Sequence, residues 1–177
     1  MITKQEYENA KKATVKAFRG AGIKMTEAEE ERIEVADFGL GDLKNIGLEI
    51  LTYVNTERVC AKELYLLPYQ TCPEHIHADG PGYSGKEETF RCRRGKVYLY
   101  VSGEPVKKVG ARIPDTVLTV FHEIELNEGE QYTLYPNTKH WFQGGAEGAI
   151  VSEFSTRSRD ESDIFTDPKI RRIPETE

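Results

Sequence analysis

Cysteine is scarce in this chain. It occurs three times in 177 residues, at Cys60, Cys72 and Cys92, with no CxxC spacing. An odd count without paired spacing argues against a disulfide framework and points to reduced thiols in a cytosolic protein. A basic excess is also missing. Lys and Arg number 24 against 30 Asp and Glu, a net charge of −6, which argues against a nucleic-acid partner. No apolar run approaches the length of a membrane span. The first residues, MITKQEYENAKK, lack the apolar core of a signal peptide, so a cytoplasmic location is expected. Internal repeats and low-complexity tracts are absent too. The chain contains 38% hydrophobic and 31% charged residues, over a length that suits one domain with a sizeable core.

Histidine is nearly as rare, with four in the chain, but its placement carries information. His75 and His77 lie two apart, so in a strand both imidazoles project from one face. Glu88 follows, and in the next strand Lys86, Glu88 and Phe90 share a face. His140 closes the run PNTKH downstream. Three imidazoles and one carboxylate, His75, His77, His140 and Glu88, suit a borderline divalent ion. Manganese, iron, cobalt, nickel and zinc are all compatible with that donor set. Cys72 stands three before His75, an odd offset that points it away from the histidine face and out of the ligand set.

The surrounding chain reads as short strands behind two helices. Residues 3–18 form a helix with a thin apolar stripe of Tyr7, Ala10, Ala17 and Phe18. Thr26 to Glu29 is a capping box that opens a second helix through about Ala36. Strands are expected over residues 47–54, 59–66, 87–93, 96–102, 119–126, 131–135, 139–143 and 148–155. Arg94-Gly95 and Gly144-Gly145 are expected as turns, and residues 103–117 as a surface loop. The fold class is therefore mainly β, a sandwich or barrel with N-terminal helices. The expected organisation is residues 1–36 as packing helices, 37–170 as the barrel domain and 171–177 as a tail with mobile last residues.

The order HxH, Glu88, Gly95, then Gly129, Pro136 and His140, resembles the two motifs of the cupin superfamily. Ten residues separate His77 from Glu88 where the usual motif has three or four, and Thr138 stands where Gly is usual. The Gly-rich stretch ADGPGYSGKE reads as a loop inserted between strands. The runs GKEETFRCRRGKVYLYV, YPNTKHWFQ and DIFTDPKI resemble a subgroup of that superfamily, the D-lyxose isomerases, over roughly Asp37 to Ile170. The resemblance implies a jelly-roll barrel with the metal in its mouth and a homodimer. It implies a D-lyxose ketol-isomerase that interconverts D-lyxose with D-xylulose and D-mannose with D-fructose. It also favours Glu153 and Asp163 as acid/base groups near the sugar.

Other residues are candidates on their own chemistry. Lys86 shares the face of Glu88 and is placed to contact substrate oxygens or steady an enediolate. His122 lies on a face with Val120, Ile124 and Leu126, and Trp141 and Gln143 follow the last ligand. His122, Trp141 and Gln143 are candidate sugar contacts. His122 has a plainer reading as a satisfied core histidine, and Trp141 as core packing. Lys62 alternates onto the face of Cys60 and Leu64, where nothing in the sequence decides its role. Two further functions fit the same ligand set, an iron-dependent dioxygenase and a non-catalytic sugar-binding cupin. Oxygen consumption separates the first from an isomerase, and turnover separates the second.

Overall fold

The structure is a computed structural model that describes residues 2–172. The mobile tail expected of the last residues falls on 173–177, outside that range. Among the described residues nine strands curl into one sheet, mainly β as expected, with two α-helices packed at its outside.

Helix α1 (Lys4–Gly20) opens on a capping box of Thr3 and Glu6 and buries Ala10, Thr14 and Phe18 along one face. Phe18 packs with Ile33, Leu51 and Ile150. Helix α2 (Glu27–Glu31) opens on the capping box at Thr26 but ends well before Ala36. Ile33 and Val35 are buried on either side of an exposed Glu34. That period of two favours strand, and β1 (Glu34–Ala36) pairs with β2 (Leu48–Asn55). The remaining strands are β3 (Cys60–Leu66), β4 (Thr71–Ile76), β5 (Glu88–Val101), β6 (His122–Asn127), β7 (Gln131–Leu134), β8 (His140–Ser155) and β9 (Ile164–Phe165).

Strands β5 and β8 pair along most of their length. On its other edge β8 pairs first with β4 and then with β3. The two Gly-containing stretches expected as turns lie inside these strands. Gly95 has φ +80°, and a Cβ there would meet Gly148 O at 2.3 Å. Val97 pairs with Gly144 while Gly95 pairs with Ala149, so residues 145–148 bulge out of the ladder. This glycine stretch bends β8 from β4 toward β3 instead of ending it. The inner face carries the main core, including Leu64, Phe90, Leu99, Phe142 and Val151. The architecture is the cupin-type jelly roll that the sequence resemblance implies.

Strand β6 starts later than expected, at His122, because the preceding backbone bonds elsewhere. Thr119 N and Val120 N donate to Glu74 Oε2 at 2.6 and 3.0 Å, and Thr119 Oγ1 donates to Oε1 at 2.6 Å. A saturated carboxylate thus takes the donors that a sheet ladder would use.

Glu49 on β2 has no such set. It is fully buried, accepts one bond from Gln70 Nε2 at 3.1 Å, and its Oε2 has no hydrogen-bond partner. Burial pushes its pKa up from 4.5 to about 8, against a small opposing pull from Gln70. The folded state therefore keeps a proton that the unfolded chain releases above its ordinary value. The stability this contributes is complete below pH 4.5 and is lost as pH rises toward about 8. Glu49→Gln is expected to remove that slope and to melt higher than the wild type at the alkaline end. Thermal melts across this window check it, and parallel curves for the two proteins would reject it.

Candidate active site

Three strands and the segment after β4 bring the expected ligands together. His75 on β4 is the cross-strand partner of His140, the first residue of β8. His77 follows β4 and Glu88 begins β5. Between His77 and Glu88 the inserted loop is clipped to the second motif. Asp79 N donates to Asn137 Oδ1, and Asn137 Nδ2 returns a bond to Asp79 Oδ2, both at 3.0 Å. Asn137 N donates to His77 O at 3.1 Å. The loop comes back so close to its start that a Cβ on Gly85 would lie 2.1 Å from His77 O. That return places Lys86 and Glu88 beside His77 despite the long insertion.

The ligating atoms of His75, His77 and His140 lie within 4.8 Å of one another, and all three residues are buried. Each ring has its Nδ1 engaged. His75 Nδ1 donates to Pro73 O at 2.8 Å and His140 Nδ1 to Thr138 O at 2.9 Å. His77 Nδ1 meets Asp163 Oδ1 at 2.5 Å. A proton held at Nδ1 leaves the Nε2 lone pair free, the arrangement of metal-bound histidine. His77 Nε2 and His140 Nε2 stand 3.2 and 3.1 Å from Glu88 Oε1. Both nitrogens and both Glu88 oxygens are buried without a sound hydrogen bond. Lys86 Nζ meets Glu88 Oε2 at 2.7 Å as an ion pair.

Electrostatics favour a cation here. Burial and the other two imidazoles hold the His75 pKa well below the usual range, keeping the ring neutral. Burial and Lys86 also oppose a charge on His77, but Glu88 and Asp163 outweigh them and lift it to about 9. Two carboxylates thus draw positive charge to the point where the rings converge. Three converging imidazoles and a carboxylate, with His77 Nε2, His140 Nε2 and Glu88 Oε1 buried and lacking hydrogen-bond partners, fit a divalent ion.

A cavity of about 410 Å³, its open mouth included, adjoins this cluster. One wall is apolar, with Phe38, Leu64, Phe90, Phe142 and Phe165. The other is a chain of alternating charges. Glu153 Oε1 accepts from Lys86 Nζ and from Ser155 Oγ, each at 3.1 Å. Lys62 Nζ lies 3.9 Å from the same oxygen and 2.8 Å from Asp160 Oδ2. Arg172 Nη2 reaches Asp160 Oδ2 at 3.2 Å and also pairs with Glu34. Burial opposes the charge on Lys86, but Glu153 and Glu88 hold its pKa well above that of an ordinary lysine.

Lys62, Asp160 and Arg172 were not singled out for the site by sequence reasoning. A charged residue alternating with Cys60 and Leu64 was the available signal for Lys62. Arg172 falls in the expected tail, yet it lines the cavity.

Other expected residues lie elsewhere. Trp141 stacks on Tyr100 at 3.9 Å and donates Nε1–H to Val120 O at 2.8 Å. It points opposite to His140, as the next residue of a strand must, and packs under the 109–121 segment. Gln143 shares that outer face. Its Nε2 donates to Thr71 Oγ1 and Arg112 O at 2.8 and 2.6 Å, and its Oε1 accepts from Arg112 N at 2.7 Å. Both residues therefore pin a loop outside the cavity. His122 is level with Val101 and His140 in the ladder, but its Nδ1 sits 2.9 Å from Glu104 O and it does not line the cavity. Asp163, expected as an acid/base group, has Oδ1 committed to His77. Cys72 departs from expectation in the other direction. A bulge between Cys72 and His75 restores the inward face, so Cys72 lines the cavity. Burial raises its thiol pKa well above the ordinary value, which disfavours the thiolate a metal needs.

No family model matches the chain. It is 60% identical over 180 residues to the D-lyxose/D-mannose isomerase of Thermosediminibacter oceani, covering 100% of this chain and 99% of that protein. It is also 60% identical over 172 residues to the D-lyxose ketol-isomerase of Cohnella laeviribosi, covering 96% and 94%. Among solved structures, the L-ribose isomerase of Cellulomonas parahominis superposes with a TM-score of 0.76 over 99% of this chain and 98% of that one. At 16% identity that likeness concerns the fold.

Proposed function

The chain belongs to the D-lyxose isomerase family, and from that premise we propose how its own residues carry an aldose–ketose isomerisation. The reaction interconverts D-lyxose with D-xylulose, and D-mannose with D-fructose, by proton transfer through a cis-enediol. The observation that carries this reading is the position of Lys86. Its ammonium bridges Glu88, 2.7 Å away in the histidine cluster, and Glu153, 3.1 Å away on the cavity wall. A proton-accepting carboxylate thus stands one side chain away from the cluster.

His75, His77, His140 and Glu88 would hold one divalent ion, manganese in this reading. When bound, it supplies Lewis-acid polarisation of a sugar carbonyl. Glu153 takes the C2 proton and returns it at C1, while the O2 hydroxyl proton passes to O1, so that O1 ends as a hydroxyl and O2 as the ketone. Lys86 sits between the carboxylates with its charge secured, and donates to the oxygen on which negative charge grows. The apolar wall of Phe38, Phe90 and Phe165 keeps bulk water from the intermediate. The catalytic unit is the barrel of residues 37–170 with Arg172 added, and residues 1–36 cover its outside.

The test is ketose formation from D-lyxose by chelated protein with Mn²⁺ restored, run in deuterium oxide. Deuterium entering C2 of the recovered aldose supports the enediol route. Oxygen consumption, or no ketose from the Mn²⁺-loaded protein, would contradict it.

We also propose a cytoplasmic homodimer. Val54, Ala61, Phe154, Thr89 and Thr133 form one cross-strand row on the outside of the barrel. Phe154 is 52% and Val54 39% exposed, so the row presents apolar surface suited to a two-fold contact. Light scattering is expected to give twice the 20.1 kDa chain mass, and Phe154→Glu to give the monomer. A monomeric wild type at micromolar concentration would end this reading.

A further inference from the structure

The three imidazoles are not held in the same way. His75 and His140 each give Nδ1–H to a backbone carbonyl two residues earlier, Pro73 O and Thr138 O. Pro73 lies on β4 with His75 and Thr138 just precedes β8, and no side-chain substitution removes a backbone carbonyl. His77 alone depends on a side chain. Asp163 Oδ1, 86 residues further along, lies 2.5 Å from its Nδ1. Asp163 follows the short 3-10 turn Asp160–Ser162 and precedes β9, which docks on β4 beside His75. Its side chain is 8% exposed, as is that of His77, so water does not readily replace this bond.

We propose that Asp163 is a positioning residue for the ion, one that holds His77 as the Nδ1–H tautomer and aims its Nε2, and not an acid that exchanges protons with the sugar. The inference rests on the metal reading of the histidine cluster. An Oδ1 engaged with His77 is poorly placed to trade protons with a sugar. A carboxylate behind a ligating histidine raises the basicity of the ring and fixes its orientation. Loss of such a partner weakens metal affinity by about 10–100-fold. The device also ties ion retention to docking of the segment after β8, because that segment delivers Asp163.

Two variants separate positioning from acid catalysis. Chelated wild type, Asp163→Ala and Asp163→Asn are titrated with Mn²⁺ by calorimetry, and kcat is then measured for each at saturating Mn²⁺. Positioning predicts that Asp163→Ala loses about 10–100-fold in Mn²⁺ affinity. It predicts that Asp163→Asn, whose amide oxygen still accepts from Nδ1–H, recovers much of that affinity and keeps most of kcat once loaded. Wild-type affinity in Asp163→Ala overturns the inference. So does Asp163→Asn with wild-type affinity and a collapsed kcat, the signature of a lost acid. That second outcome is readable even if the alanine variant does not fold. A wild type that takes up no Mn²⁺ fails the metal reading itself, and the inference falls with it.

Discussion

Glu153→Gln is expected to keep its fold and its metal while losing kcat by roughly 10²–10⁴, with KM little moved. Glutamine retains the shape and an oxygen to accept from Lys86 and Ser155, so the wall of the cavity stays in place. What it lacks is the capacity to take a proton. Neither lysine is stranded, because Lys86 keeps Glu88 and Lys62 keeps Asp160. The position is fixed by the sheet, since Glu153 is level with Lys62 on β3 and with Phe90 on β5. Steady-state kinetics on the metal-loaded variant checks this. Near wild-type turnover would make Glu153 an ordinary strand carboxylate that balances two lysines.

His77→Ala is expected to have the largest effect, abolishing stoichiometric metal and turnover together. Its Nε2 is one of the buried nitrogens converging beside Glu88, and the methyl group that replaces the ring offers no donor. Asp163 loses its partner in the same step. Metal analysis of the purified variant, beside an activity assay, is the check. Full metal content would remove His77 from the ligand set, and with it the reading of the whole cluster.

Part of this site was legible in the sequence because strand geometry is periodic. His75 with His77, and Lys86 with Glu88 and Phe90, share faces by simple alternation, and the order of the motifs placed His140 with them. Alternation fails where a strand bulges. Cys72 faces the cavity because the chain between it and His75 takes an irregular step, which residue spacing does not reveal. Glycine misled for a related reason. Gly95 and Gly144 mark bulges inside long strands, yet in sequence they look like turns. A capping box marks where a helix begins and is silent about its end, so α2 was expected to be longer than it is. Trp141 and Gln143 were tied to the sugar by nearness to His140 alone, and the strand turns both outward. Asp160 and Arg172 are ordinary charged residues until the segment after β8 folds across the mouth, a long-range event that no local pattern records.

The corner in β8 has a consequence for how such a chain varies. Before the corner the inward side chains are at even positions, His140 and Phe142. After it they are at odd ones, Val151 and Glu153. The number of residues between them, not their identity, sets this phase. Ala146 and Glu147 are exposed, so they are free to change type without disturbing it. Removing one residue there would put the strand out of step and offer Phe154 to the sugar where the carboxylate stood.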